Sequence, residues 1–332
     1  MASLALRLGL TPLLERIPRR PGILVINYHR IGDALDDPYD PGVFEATAEE
    51  FDAQMASLKK SYALTELAEV QELAEKPERL RHALALVTFD DGYRDNYEVA
   101  FPILRAHGIR AAFFLATAFV GARRLPWWDQ VGYMVRRTEE RVLRVRHPRE
   151  VSIDLAETTV PEAIETLLRL YKRPETTDPA RLISEVEEAC RVTRPVASPE
   201  QLFMTWDDAR GLLAGGMDIG SHTHSHEIMS RLSREQQLEE CRVSREILRR
   251  NLSRDVDALA VPVGSRCSFS AMTEECLRES GYRTAFSYYG GVNTARSLRP
   301  LDVTRVSVGR PGLAHYRLRN ALAAVTAREL LF

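Results

Sequence analysis

Two short stretches of this chain carry side chains that could do chemistry. The first, Thr88-Phe89-Asp90-Asp91-Gly92, closes the apolar run Ala83-Leu84-Ala85-Leu86-Val87, which is short enough for a buried strand. A strand ending on two carboxylates brings charge to the edge of a core, where an unpaired carboxylate is costly. Asp-Asp-Gly is also ordinary turn chemistry, so the pair gains meaning only beside the second stretch. That stretch, Ser221-His222-Thr223-His224-Ser225-His226, follows the strand-like Met217-Asp218-Ile219-Gly220 and holds three of the eight histidines. One carboxylate from the first and two imidazoles from the second would make an open three-ligand metal site, the mark of a catalytic rather than a structural centre. Such a set suits one divalent metal, zinc first, and accommodates nickel, cobalt, manganese or iron.

The elements that must position these stretches alternate. Residues 23–27 predict a first strand that runs into Tyr28-His29, so His29 should open onto the same rim; a core or capping histidine is the plainer reading. Thr47-Ala48-Glu49-Glu50 is a capping-box pattern, and Phe51, Met55 and Leu58 follow at helical spacing. After the Asp pair, Tyr97, Phe101 and Leu104 mark a helix ending near His107-Gly108, in which Pro102 implies a kink or a late start. Residues 111–116 read as another buried strand. Further on, helices open at Thr205 and Ser233, and strands are predicted at 258–261, 284–287 and 303–306, with helices near 272–277 and 315–331. About seven strands, mostly separated by helices, predict an α/β fold closed into a parallel barrel. Barrels of this kind keep their chemistry at the carboxyl ends of the strands, where both stretches fall.

From about 121 to 203 the alternation stops. Trp127-Trp128 fit a core plug or a sugar-stacking platform, with at least one of them in the core. Ile164, Leu167, Leu168 and Tyr171 form one helical stripe, and Leu182, Ile183, Val186 and Cys190 another. This predicts a helical insertion over one end of the barrel, which packs and shields; a lid that shapes the substrate site is the sharper alternative.

The 332 residues are 45% hydrophobic and 28% charged, an ordinary globular composition, and the net charge of −2 leaves no basic footprint for nucleic acid. Cys190, Cys241, Cys267 and Cys276 are scattered without a Cys-x-x-Cys pair, which predicts reduced thiols. No stretch approaches the ~20 apolar residues of a transmembrane helix. Residues 1–21 read as an N-terminal amphipathic segment, with charges on the wrong side for a signal peptide. A peripheral membrane contact through residues 2–14 is the alternative, and the location read from this is cytoplasmic, with the inner membrane surface as the alternative.

Thr-Phe-Asp-Asp-Gly and His-Thr-x-x-His resemble the first two motifs of the NodB-homology polysaccharide deacetylases, carbohydrate esterase family four. So do Val25-Ile26-Asn27-Tyr28-His29-Arg30-Ile31, the segment 108–115 and Gly281-Tyr282-Arg283-Thr284-Ala285. The likeness runs from about 22 to 120 and again from about 204 to 308. It implies a distorted parallel (β/α)7-type, TIM-like barrel, spanning 22–332 around the insertion. It further implies Asp91, His222 and His226 as metal ligands and Asp90 as general base. The implied reaction is metal-dependent removal of N-acetyl groups from amino sugars of a polysaccharide, oligosaccharide or lipid-linked precursor. A catalytically silent carbohydrate-binding relative, or an amidase of a small non-sugar amide, is the alternative.

The chain departs from the family in two motifs. Leu259-Ala260-Val261-Pro262-Val263-Gly264 lacks the third motif's arginine, although the Val263 backbone N–H could still serve the oxyanion. The arginine that orients Asp90 must then come from elsewhere, and Arg305 in the last strand is the candidate. Leu313-Ala314-His315 matches the last motif by letters only, so the general acid stays open between His29, His315 and another group.

Overall fold

Two seven-residue runs without a charged side chain form the longest strands, β1 (Gly22–Tyr28) and β2 (Ala83–Phe89). Strands covered on both faces have near-continuous apolar sequence, and such strands pair in parallel. Here the register runs from Gly22 opposite Ala83 to Tyr28 opposite Phe89. This computed structural model describes residues 19–309 except Asp36 and Pro199, together with Leu313, Ala314, Tyr316, Arg317 and Asn320. The N-terminal segment expected at 1–21, apart from Arg19, Arg20 and Pro21, and most of the helix expected at 315–331, lie outside the described residues.

Between β1 and β2 lie α1 (Ala48–Ser61), with its Thr47/Glu50 capping box in place, and α2 (Leu67–Glu75). After β2 the chain makes a π-turn over Asn96–Ala100 that runs into α3 (Phe101–His107). The wide turn sits immediately before Pro102, which has no N–H to donate and whose ring crowds the preceding turn. Gly108, at φ 65°, ends the helix in the left-handed region. The next strand is β3 (Ala111–Leu115).

Residues 33–44 and 122–202 form a compact unit of their own. It holds α4 (Trp127–Arg137), β4 (Val142–Val145), β5 (Val151–Asp154), α5 (Val160–Lys172) and α6 (Pro179–Cys190). Two findings differ from the helical reading of this stretch. Strands β4 and β5 make an antiparallel hairpin, Val142 opposite Asp154 and Val145 opposite Val151; each is four residues long and interrupted by arginine or serine, too short to show an alternation. Residues 33–44 also join this unit. A Cβ on Gly132 would lie 2.6 Å from the Tyr39 backbone, so only glycine lets that segment approach α4. Trp128 is buried, and Trp127 stacks on Tyr171 with ring centroids 3.7 Å apart.

The other unit comprises the described residues up to 32, then 45–121 and those from 203 on. It continues with α7 (Trp206–Ala214), β6 (Asp218–Ser221), α8 (Arg234–Leu252), β7 (Ala258–Ala260), α9 (Ala271–Glu279), β8 (Thr284–Phe286) and β9 (Val306–Ser307). The sheet order is β8-β7-β6-β3-β2-β1-β9, parallel throughout. Its two ends meet in one segment: Val303 bridges Phe286 of β8, while Val306 and Ser307 pair with Ile26 and Asn27 of β1. The expected last strand at 303–306 is therefore broken, with Arg305 between a residue that serves one neighbour and a strand that serves the other. The result is a distorted parallel (β/α)7-type barrel. No helix among the described residues is long and apolar enough to cross a membrane.

Side chains alternate along a strand. Ile23, Val25, Leu84, Leu86 and Val303 share one apolar cluster. The same parity carries Asn27, Thr88 and Arg305 in the same direction, closer to the carboxyl ends of the strands. All three are buried.

Candidate active site

The loops after β2 and β6 bring the two sequence stretches together. Asp91 Oδ1 lies 3.5 Å from His222 Nε2 and 3.4 Å from His226 Nε2. All three residues are buried, and their ligand atoms lie within 4.8 Å of one another. The backbone explains how four residues of sequence spacing bring both rings to one point. His222 donates its N–H to Leu115 O and continues the strand pairing, then Thr223 (φ 63°) and His226 (φ 60°) turn the chain through the left-handed region. Thr223 Oγ1 accepts the His226 N–H at 3.2 Å, and Ser221 Oγ accepts the Thr223 N–H at 3.1 Å. Glu240 on α8 accepts the N–H groups of His224 and Ser225. The His224 ring meets Thr117 at 2.9 Å rather than joining the set.

Ring orientation is also determined. His222 Nδ1 lies 2.8 Å from Ala260 O, an acceptor only, so Nδ1 carries the proton and Nε2 presents its lone pair. Asp91 Oδ1 is buried with no hydrogen-bond partner. Burial raises the Asp91 carboxyl above its ordinary range and lowers the His226 ring well below its own, because it penalises the charged form of each. A neutral imidazole is the ligating form, and a cation would offset the cost of ionising Asp91. The donor set therefore fits a divalent metal held by Asp91, His222 and His226.

Asp90, one residue earlier, is treated in the opposite way. Arg305 Nη1 meets its Oδ1 at 2.7 Å and Nη2 meets its Oδ2 at 2.8 Å, a bidentate pair with Arg305 fully buried. Burial alone would raise this carboxyl, but the Arg305 charge and hydrogen bond, with contributions from the neighbouring histidine rings, together outweigh it, and Asp90 is held well below the usual carboxylate range. Asn27 adds an amide donor to Oδ2 at 3.1 Å. Asp90 Oδ2 is also 3.8 Å from His222 Nε2, so the clamped carboxylate borders the ligand set.

His29 leaves β1 at the same rim, part-buried. Its N–H and its Nδ1 meet the two oxygens of Glu45, at 2.7 and 2.8 Å, which leaves Nε2 for proton transfer. Burial lowers the basicity of the ring, but the Glu45 charge and hydrogen bond outweigh it, with Asp91 and Asp90 adding, and the pKa rises to about 9. The His29 and Tyr288 rings meet in a T-shaped arrangement, centroids 5.9 Å apart, and the Arg305 guanidinium lies 5.5 Å from the centre of the Tyr288 ring.

Val263, after β7, has φ 62°, and its N–H donates to no acceptor among the described residues. For β-branched residues the left-handed region is strained. Six described residues other than glycine have positive φ. Arg191 and Ser253 cap α6 and α8; Asp91, Thr223, His226 and Val263 all lie in the loops just described. Strain of this kind persists only where the surroundings impose it, and it gathers at functional sites.

The structure thus brings together Asp90, Asp91, His222, His226, Arg305 and His29, with Val263 in a neighbouring strand-end loop. His315 lies outside the described residues. Sequence reasoning passed over Asn27, Thr88, Glu45 and Tyr288. Asn27 did carry a signal, being the polar residue in the otherwise apolar run Ile23-Leu24-Val25-Ile26, whereas Glu45 looks like any surface acid before a helix cap.

The polysaccharide deacetylase family profile matches residues 78–142 and 158–285, more than half of the chain. The Bacillus subtilis protein YxkH, described as a polysaccharide deacetylase, is 30% identical over 100 residues; the match covers 29% of this chain and 33% of that relative, about a third of its length. The Streptococcus pyogenes deacetylase PplD shares the fold with a TM-score of 0.60 at 16% identity, over 91% of this chain and 99% of that one. IcaB from Ammonifex degensii does so with a TM-score of 0.57 at 18% identity, over 92% and 98%. With this profile match, the two motifs in one site and the barrel beneath them, the chain belongs to the polysaccharide deacetylases of NodB homology, carbohydrate esterase family four.

Proposed function

We propose that this protein is a metal-dependent hydrolase that removes N-acetyl groups from amino sugars of a polysaccharide, oligosaccharide or lipid-linked precursor. One observation carries the reading: a buried Asp/His/His set lies beside a second carboxylate that is clamped in its ionised form. Binding alone does not require a fixed base next to a ligand set. Bound at Asp91, His222 and His226, a divalent metal, zinc first, would acidify a water and polarise the acyl oxygen.

The chain's own groups divide the remaining work. Asp90 takes the proton of the attacking water as its oxygen bonds to the acetyl carbon. Arg305 keeps Asp90 ionised and oriented. The Val263 N–H, pointed by its strained backbone, receives the developing oxyanion. His29, held protonated by Glu45, gives a proton to the amine as the C–N bond breaks, and acetate and a free amino sugar leave. Placing the acid on His29 follows from its held charge and from its position at the end of β1, beside β2.

The test is acetate release from acetylated amino-sugar oligomers and from lipid-linked amino sugars, with and without chelator. Chelator should abolish release and added divalent metal restore it. Full metal loading with no release from any acetylated sugar would leave a carbohydrate-binding relative; release that is indifferent to chelator would remove the metal from the reaction.

A further inference from the structure

Asp90 and Arg305 are not held by each other alone. Asn27 Oδ1 accepts from Arg305 Nη1 at 2.7 Å and lies 2.7 Å from Thr88 Oγ1, while its Nδ2 donates to Asp90 Oδ2 at 3.1 Å. All four side chains are buried. The orientation of the amide follows from chemistry. A guanidinium has donors only, so the Asn27 atom facing Arg305 must be the carbonyl oxygen, which turns the NH2 group toward Asp90. Asn27 thus spans the ion pair, accepting from the cation and donating to the anion. Thr88 secures it from the neighbouring strand, where Asn27 and Thr88 stand opposite each other in the β1–β2 register. Arg305 Nε donates to Ser287 O at 3.1 Å, so the guanidinium is anchored on its far side as well.

From this arrangement we infer that Asn27 is a positioning residue, which holds the Asp90 carboxylate and the Arg305 guanidinium in a single geometry, and that Thr88 positions Asn27 in turn. A bidentate Arg–carboxylate pair can pivot as a unit about the carboxylate's side-chain torsions. A third group bonded to both partners removes that freedom. A general base acts only within hydrogen-bond reach of the proton it abstracts, so a pivot of this pair costs turnover rather than substrate binding. The inference rests on Asp90 acting as the base of the proposed deacetylation.

The experiment uses the full-length protein with metal bound and two variants, Asn27→Leu and Thr88→Val, each near its parent in size. The first readout needs no turnover: the side-chain N–H protons of Arg305 in ¹⁵N-arginine-labelled protein. Their solvent exchange should be at least ~10-fold faster in Asn27→Leu, since a buried hydrogen bond that holds them is gone, and accelerated less in Thr88→Val. The second readout is acetate release. Asn27→Leu should lower kcat by at least ~10-fold, toward the contribution of a proton-transfer group, with KM within about twofold and metal content unchanged, and Thr88→Val should shift kcat in the same direction by less. Unchanged Arg305 exchange in both variants, or a raised KM with kcat intact, overturns the inference. If the parent protein releases no acetate from any substrate, the deacetylase reading fails, while the exchange measurement still decides whether Asn27 holds the pair. Should Asn27→Leu not fold, Thr88→Val carries both readouts.

Discussion

The two ends of the barrel strands use the same side-chain chemistry in opposite settings. At the amino ends, Arg283 meets Glu75 at 2.6 Å and Asp257 at 3.3 Å, with its side chain about half exposed (56%). At the carboxyl ends, Arg305 meets Asp90 at 2.7 Å with 0% of its side chain exposed. Water screens the first group, so each pair contributes little, and losing a partner leaves a charge that water can solvate. Nothing solvates the second group, so removing one partner strands a buried charge. The carboxyl rim also holds an unpartnered carboxylate oxygen on Asp91 and four strained backbone positions. A fold that needed only stability would not gather such costs at one rim. Their concentration there, rather than the number of ion pairs, marks the working end.

Four experiments would break or sharpen that contrast. The largest effect is expected at the ligand set. His222→Ala, His226→Ala and Asp91→Asn should each weaken metal binding by more than ~100-fold, beyond what loss of a supporting group costs, and turnover should go with it. Elemental analysis showing a full complement of metal in the His226 variant would mean that the ligands have been misassigned. Next comes Asp90→Asn, which should retain the metal and lose roughly 10²–10⁴-fold in turnover, the range usual for a general base. Equal loss of metal in the Asp90 and Asp91 variants would merge the two roles separated here.

A smaller effect is expected at the His29–Glu45 pair. His29→Ala should cost more than about tenfold in turnover. With the protonated ring as the proposed acid, activity should hold below its pKa and fall as pH rises through about 9. Glu45→Gln removes the charge that raises this pKa and should move the alkaline limb to lower pH. The linked stability has the same sign: a raised histidine pKa stabilises the fold fully below the unfolded value of about 6.5 and loses that contribution as pH rises through about 9. A pH–rate profile whose alkaline limb is identical in wild type and Glu45→Gln would remove His29 from proton transfer. The smallest effect belongs to the amino rim, where Arg283→Ala should change stability by no more than about 1 kcal/mol and leave turnover unaltered. A large activity loss there would show that the two rims are coupled.

Several parts of this architecture were readable before any coordinates. The apolar runs of β1, β2 and β3, the capping boxes at Thr47 and Ser233, and the two acid and histidine stretches all depend on neighbours within a few residues, where chain geometry alone sets what can meet. The hairpin of β4 and β5 was not readable, because four-residue strands interrupted by arginine or serine carry too little alternation to stand out from a charged loop. Nor was the joining of residues 33–44 to the second unit, which depends on a close approach at Gly132 that no local pattern announces.

Sequence by itself determined about seven strands separated by helices in a parallel arrangement, and that Asp90, Asp91, His222 and His226 would stand at strand ends, since strand period and motif spacing are local properties; the (β/α)7 type came from the family resemblance. What only the tertiary structure decided is the difference between the two adjacent aspartates. One residue of backbone, turned to φ 71° at Asp91, sends one carboxylate to Arg305 and Asn27, from residues 215 and 63 positions away, and the other toward two histidine rings. Charge, burial and hydrogen-bond partners set what a carboxylate does, and all three are supplied here by chain segments far apart in sequence that meet only when the barrel closes.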